Sequence, residues 1–131
     1  MSEKFDLVKQ YLFEMEIPIV SEDPAEEIVV LDDAENGIKN LVVDCEEPIL
    51  VLEQIIMKVP REPGDLFKRL LQMNRELVHG AFVLDESAKL ILFRDTLQME
   101  NLDRNELEGS IQALGLALAE YSSELLGYTG D

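Results

Sequence analysis

The sequence predicts an α+β fold, an antiparallel sheet with helices in the order α-β-β-β-α-β-β-α. Two observations lead to this prediction. Apolar residues recur at helical spacing in three segments, and runs rich in Ile, Val and Leu, separated by turn residues, fill the stretches between them. Because these runs follow one another in hairpin-like sets, the sheet should be antiparallel, with the helices on one side. The 131 residues and the absence of a long linker fit one domain, residues 1–131.

The first helix is predicted over residues 2–16, where Ser2 can provide the N-cap. Its apolar residues step by three or four positions along one face; they are Phe5, Val8, Leu12 and Met15. Pro18 ends the helix, because the residue before a proline avoids the helical region. Further apolar side chains, including Leu7 and Tyr11, widen the apolar coverage. This helix is therefore either buried on two sides or able to present a face to a partner.

Residues 19–60 form a strand-rich region, in which we predict strands over 26–32, 38–45 and 49–59. Asn36-Gly37 lies between the first two and is a favourable hairpin turn, since both residues tolerate positive φ. The third run exceeds the usual strand length, so a bend or bulge near Glu53-Gln54 is expected. A helix is the competing prediction for this run, but its Ile and Val residues and flanking prolines favour a strand.

The second helix is predicted over residues 65–78, and Gly80 suits the left-handed position after its end. Strands over 81–84 and 89–97 follow, joined by a polar turn. The third helix is predicted over 103–126. Asp103 and Glu106 form its capping box, and its apolar seam consists of Leu107, Ile111, Leu114, Leu118, Tyr121 and Leu125. It carries no Lys or Arg after Arg104, so packing must hold its C-terminal end.

Composition excludes several classes of function. Acidic residues outnumber basic ones 28 to 11, giving a net charge of −17, so the chain should repel nucleic acids and anionic membranes. One Cys allows no internal disulfide and indicates a reducing cytoplasm. No signal peptide and no apolar run of about 18 residues is visible. We therefore expect a cytoplasmic protein with neither a nucleic-acid nor a membrane partner.

Few residues are suited to catalysis or metal binding. Cys45 and the single His, His79, lie far apart in the sequence and belong to no metal-binding motif. Cys45 is expected to be a small buried residue, and His79 to belong to a helix end. Thirteen carboxylates and one base, Lys39, lie between Glu14 and Glu53, but their spacing matches no EF-hand loop. We expect a solvated acidic surface, no cofactor, no metal and no enzymatic activity.

The apolar residues on helices and strands exceed what a minimal core requires. In an acidic chain, such a surplus is typical of a protein-interaction surface. The alternative is that all of these residues belong to the core, and the sequence leaves both interpretations open.

The region of residues 66–126 resembles the type III secretion chaperone-like fold, which includes class I effector chaperones of the Tir-chaperone type and the YbjN family. The resemblance is carried by Leu70–Leu77, by Gly80–Glu86, by Leu90–Arg94 and by Leu102-Asp103 before the last helix. In that family a helix ending in Asn and Leu leads to a strand with a Gly at its start and an Asp at its end, then a hairpin and a long closing helix.

This resemblance implies a cytoplasmic homodimer without enzymatic activity that holds a partly unfolded segment of a client protein. It implies client contacts on the first helix, for which the candidates are Leu7, Tyr11 and Met15. It implies dimer contacts on the second helix and the following strand, for which the candidates are Leu66, Leu70, Phe82 and Leu84. Strand addition and apolar pockets are the physical means by which such a protein can hold an extended client.

Two alternative functions remain at this point. The chain can be a regulatory or sensory accessory domain that binds a folded partner protein. It can also be a Ca²⁺-binding or small enzymatic domain that uses the acidic region Glu22–Asp33.

Overall fold

The computed structural model describes residues 3–129, so the predicted N-cap Ser2 lies outside the described residues. Three helices, α1 to α3, and six strands, β1 to β6, are present in this part of the chain. In chain order they are α1 (Glu3–Glu14), β1 (Ile19–Asp23), β2 (Ile28–Asp33), a 3₁₀ turn (Ala34–Asn36), β3 (Ile38–Glu46), β4 (Ile49–Lys58), α2 (Leu66–Glu76), β5 (Ala81–Leu84), β6 (Leu90–Gln98) and α3 (Arg104–Leu126).

The six strands form one antiparallel sheet in the order β1-β2-β3-β4-β6-β5. The predicted fold class and the predicted order of elements are confirmed, with one strand added. The added strand is β1. It lies within the predicted strand-rich region 19–60, but none of the three strands predicted there covers it. Its side chains are largely exposed, and Ser21, Glu22 and Asp23 give no apolar alternation that would mark a strand.

Two details of the strands differ from the sequence prediction. The connection between β2 and β3 is a 3₁₀ turn followed by Gly37 with φ of 80°, instead of a two-residue turn with positive φ at both Asn36 and Gly37. The expected bulge in β4 is present, but the register shifts between Ile55 and Met57, just beyond Glu53-Gln54. The turn depends on the pairing of β2 with β3 and the bulge on the pairing of β4 with β6, which the sequence of one strand does not encode.

The helices and one face of the sheet share a hydrophobic core. Every second residue of the central strands points into it, as Leu50 and Leu52 of β4 do, together with Phe5 and Leu12 of α1 and Leu107 and Leu114 of α3. Val51 and Leu92 face the other side of the sheet and lie outside this core, although both are buried. The helices therefore cover one face of the sheet and leave the other open.

The buried amide of Gln54 holds the β2–β3 turn in place. The Lys39 N–H donates to Gln54 Oε1 over 2.9 Å, and Gln54 Nε2 donates to the carbonyl of Gly37 over 3.1 Å. Because Gln54 is only 3% exposed, both of its polar groups need such partners. The turn is thus attached to the middle of β4.

The two ends of α3 are stabilised in different ways. At its start the predicted capping box is confirmed. The Glu106 N–H donates to Asp103 Oδ1 over 2.8 Å, and the Asp103 N–H donates to Glu106 Oε1 over 3.3 Å. At its end the cation missing from the helix itself is supplied by α2, because the Arg69 guanidinium binds the Glu124 carboxylate. This contact raises the pKa of Arg69 and lowers that of Glu124. Electrostatics therefore assists packing at this end, which the sequence analysis did not predict.

Candidate functional site

The three residues predicted to contact a client lie on one stripe that runs along α1 into the turn after its end. Leu7, Tyr11 and Met15 follow one another at intervals of four residues, beside the buried face of the helix. Leu7 is 36% exposed, whereas Tyr11 and Met15 are half-buried. The Tyr11 hydroxyl donates to the Leu102 carbonyl over 3.4 Å, so the stripe is tied to the segment that precedes α3. The structure thus brings the three together on a partly accessible surface.

A groove continues from this stripe and lies between the end of α1, the β2–β3 turn and α3. Its volume is about 740 Å³, and we call it the α1–α3 groove. Met15 lines it on one side and Leu116, which is 71% exposed, lines it on the other. Gly115 allows the turn to approach α3 closely, since a Cβ there would lie 3.0 Å from the carbonyl oxygen of Asn36. The small residues that the sequence places on α3 therefore shape a groove.

A second apolar surface lies on α2 and the edge strand β5. We call it the α2–β5 surface. It consists of Phe67 and Leu71 of α2, Val78 of the loop that follows and Leu84 of β5, which are 37%, 73%, 89% and 41% exposed. Asn74 joins the two elements: its Oδ1 accepts from the Phe82 N–H over 2.7 Å and its Nδ2 donates to the Phe82 carbonyl over 3.1 Å. These bonds occupy the outer edge of β5 at Phe82, where an unpaired strand would otherwise be open. What remains accessible there is an apolar side-chain surface.

Three of the four predicted dimer residues are not on this surface. Leu66, Leu70 and Phe82 are 0%, 5% and 4% exposed, so they belong to the core of the protomer, and only Leu84 reaches solvent. The reason is that the helical seam which made Leu66 and Leu70 conspicuous in the sequence is the face that packs on the sheet. The exposed apolar residues of α2 are those beside the seam, Phe67 and Leu71. Their i, i+4 spacing was the available signal for a second apolar stripe.

Cys45 and His79, the two residues that the sequence offered for catalysis or metal binding, lie in different segments of the described structure. Cys45 is buried, as predicted, and burial raises the pKa of its thiol to about 12, which keeps it protonated and unreactive. His79 is exposed in the loop between α2 and β5. Within residues 3–129, no group of three or more His, Cys, Asp or Glu side chains is arranged to hold a metal ion. Among the same residues, no helix has the length and apolarity needed to span a bilayer.

Comparison with known proteins agrees with this architecture. The family model CesT_Tir_1 matches residues 1–131. The fold is similar to that of YbjN from E. coli, with a TM-score of 0.73, 14% identity and 92% of each chain covered. No protein of curated function is similar enough in sequence to add to these matches.

Two further similar structures come from protein complexes. A chain of the ExsC-ExsE complex superposes with a TM-score of 0.65 and 21% identity, covering 96% of this chain and 97% of that one. A chain of the HopA1-SchA chaperone-effector complex superposes with a TM-score of 0.62 and 16% identity, covering 87% of this chain and 91% of that one. At these identities the likeness concerns the fold.

Proposed function

The chain belongs to the CesT_Tir_1 family of type III chaperones, and on this premise we propose that it is a homodimeric, non-enzymatic chaperone that holds an extended segment of a client protein. Its fold is type III secretion chaperone-like and YbjN-like. Two of the similar structures support a protein partner, because both are complexes of two proteins and one of them is a chaperone-effector complex. A cytoplasmic location and the absence of a cofactor are parts of the same proposal.

The observation that carries the proposal is the exposure of large apolar side chains on a strongly acidic protomer. Leu71, Val78 and Leu116 are each more than 70% exposed, in a chain with a net charge of −17. Mutual repulsion opposes non-specific association of such chains, so apolar surfaces can stay available for a specific partner. A protein that only filled its own core would not need these side chains at the surface.

The stripe on α1 and the α1–α3 groove are the proposed client site. A partly unfolded segment can place apolar side chains against Leu7, Tyr11 and Met15 and continue past Leu116. The groove has room for side chains of such a segment, and the exposed carboxylates around it can select against acidic segments.

The α2–β5 surface is the proposed dimer interface. A two-fold contact brings the same residues of two protomers together, so one apolar stripe suffices to make a self-complementary interface. In this proposal Phe67 and Leu71 replace Leu66, Leu70 and Phe82, and Leu84 is retained. The exposed side chains are the ones that can reach a second copy.

Changing Tyr11 to Asp should abolish recovery of a partner protein by the tagged chain from its source cells. The change places a carboxylate in the middle of the apolar stripe, where an apolar client segment would leave it desolvated. Recovery is measured by quantitative mass spectrometry of the bound fraction, and the thermal stability and mass of the variant are measured alongside, since Tyr11 also bonds Leu102.

The matched control is Phe13→Asp, which makes the same kind of change on the same helix. Phe13 is 83% exposed and points about 200° around the helix from Tyr11, away from the stripe. We expect recovery with this variant to equal that of the unmodified chain. Full recovery with Tyr11→Asp would remove the α1 stripe from the proposed site.

A regulatory domain that binds a folded partner is the second candidate. It is favoured by the similarity to YbjN, which is described as a candidate transcription regulator. The two functions differ in the state of the partner, because a chaperone protects an extended segment whereas a regulator contacts a compact domain.

A further inference from the structure

No described helix covers the face of the sheet opposite α1 to α3, and this face carries apolar side chains together with carboxylates. We call it the open face, and it includes Val42, Asp44, Val51, Glu53, Ile55 and Leu92, which line a depression of about 670 Å³. Val51 and Leu92 are 8% and 9% exposed, whereas Ile55 beside them is 59% exposed. The strand pairing places these side chains next to one another across β3, β4 and β6. The depression is therefore a continuous surface built by three central strands.

The charge in this depression is negative and incompletely paired. Asp44 Oδ1 is shielded from solvent and has no hydrogen-bond partner within the described structure. The neighbouring guanidinium, that of Arg94, binds Glu53 and not Asp44. The carboxylates of Glu46, Glu26 and Glu53 lie close enough to Asp44 to repel its negative charge. A shielded carboxylate among apolar side chains lacks a cation here.

We propose that the open face binds an apolar, extended segment of the client that carries one Lys or Arg, whose cation pairs with Asp44. The inference rests on the proposed function, because it names the chemistry of the client segment. In an extended segment alternate side chains share one side, so a basic residue above Asp44 places its second neighbours near Val42 or Val51. A partly shielded ion pair of this kind gains more than one in open water.

A second copy of this chain fits the open face poorly. Two open faces brought together would bring the carboxylates of Asp44, Glu46 and Glu53 from both copies into one contact, and an excess of like charge there is unfavourable. A segment from another protein brings the missing cation without this repulsion. Charge complementarity thus favours a basic, apolar segment as the occupant.

The ion pair makes binding dependent on pH. Burial and the surrounding carboxylates raise the pKa of Asp44 from 3.8 to about 6. Above that pH the carboxylate is charged and attracts a cation, and below it a proton takes the place of the cation. The other charged groups facing the depression are Lys39 at one end and the Glu53–Arg94 pair. The preference for a basic segment should therefore decline as the pH falls from 7.5 to 5.

Two synthetic peptides test the inference by fluorescence anisotropy with the full chain. Both are capped nine-residue peptides with Val at alternate positions, and they differ only in a central Lys or a central norleucine. Unmodified protein should bind the Lys peptide about tenfold more tightly at pH 7.5, and Asp44→Asn should abolish that preference while leaving the norleucine peptide within twofold. Asp44→Asn should fold, because a raised folded-state pKa means that the charged carboxylate destabilises the protein above pH 6.

The control variant is Glu86→Gln, which removes the same charge at the exposed β5–β6 turn, toward the opposite end of the paired strands. It should keep the preference for the Lys peptide. Equal binding of both peptides by the unmodified protein would overturn the inference. So would an Asp44→Asn variant that loses affinity for both peptides to the same extent, or one whose mass by light scattering differs from that of the unmodified protein. If neither peptide binds while a partner is still recovered from cells, this inference fails and the proposed function stands. If no partner is recovered either, both fail.

Discussion

The variant Leu71→Glu should be a folded monomer under conditions in which the unmodified protein is a dimer. Leu71 is 73% exposed in the protomer, so the substitution leaves the core intact. In a two-fold interface it introduces two carboxylates into an apolar contact, and we expect dimerisation to weaken at least about a hundredfold, or about 3 kcal/mol. Light scattering over a series of concentrations measures this as a halving of the mass.

Val20→Glu is the matched control for this variant. Val20 is 57% exposed on β1, at the opposite edge of the sheet from β5, so an apolar residue is again exchanged for a carboxylate. This control should remain a dimer. A dimer in both variants would contradict the α2–β5 interface, and a monomer of the unmodified chain at tens of micromolar would contradict the dimer itself.

Gly80→Ala should destabilise the protein by about 2–5 kcal/mol, the largest effect on stability that we expect from adding one methyl group. Gly80 has φ of 75°, which an L-residue adopts only with strain. An added Cβ would also lie 2.6 Å from Phe93 Cε1, closer still to Cζ, and 3.2 Å from the Arg94 carbonyl oxygen. The Phe93 ring is 2% exposed and cannot move away without displacing its neighbours.

The displaced neighbours connect this site to the α2–β5 surface. Phe93 packs edge-on against Phe82, with ring centroids 5.9 Å apart, and Phe82 packs against Tyr121 of α3 at 6.3 Å. Phe82 is also the residue that Asn74 of α2 holds by its backbone. Movement of Phe93 should therefore loosen the attachment of α2 to β5 as well.

Urea unfolding measures this effect, with Gly64→Ala as the control. Gly64 has φ of 57°, but an added Cβ there meets nothing within 4 Å. The control should therefore lose only the stability needed to hold an alanine at positive φ, about 1 kcal/mol. Equal losses in the two variants would show that the Phe93 contact contributes nothing.

The fold could be predicted from the sequence where local patterns determine it. The capping box at Asp103 and Glu106, the seam of α3 and the strands around Val43 and Ile91 follow from spacing and propensity. The strand β1 could not be predicted, because its polar residues are held by pairing with β2 and not by a pattern of their own. The contact of Arg69 with Glu124 joins residues 55 positions apart and depends on how the helices pack.

The candidate surfaces could be predicted only in part. The client candidates that the resemblance implied, Leu7, Tyr11 and Met15, lie on one partly accessible stripe. On α2, periodicity identified the most apolar face of the helix. That face packs into the core of the protomer, so Leu66 and Leu70 are buried. A periodic pattern identifies which residues share a face but not what covers that face. For the same reason, nothing in the β3 sequence distinguished Asp44 on the uncovered side from a carboxylate in ordinary solvent.

The most direct test of the central claim is hydrogen exchange of the partner protein recovered with this chain, measured alone and in the complex. The account predicts one contiguous partner segment that exchanges freely when alone and becomes protected when bound, together with new protection in α1 and the central strands of this chain. A partner that is already compact when alone, and whose protected residues on binding are scattered over a folded surface, would contradict the account.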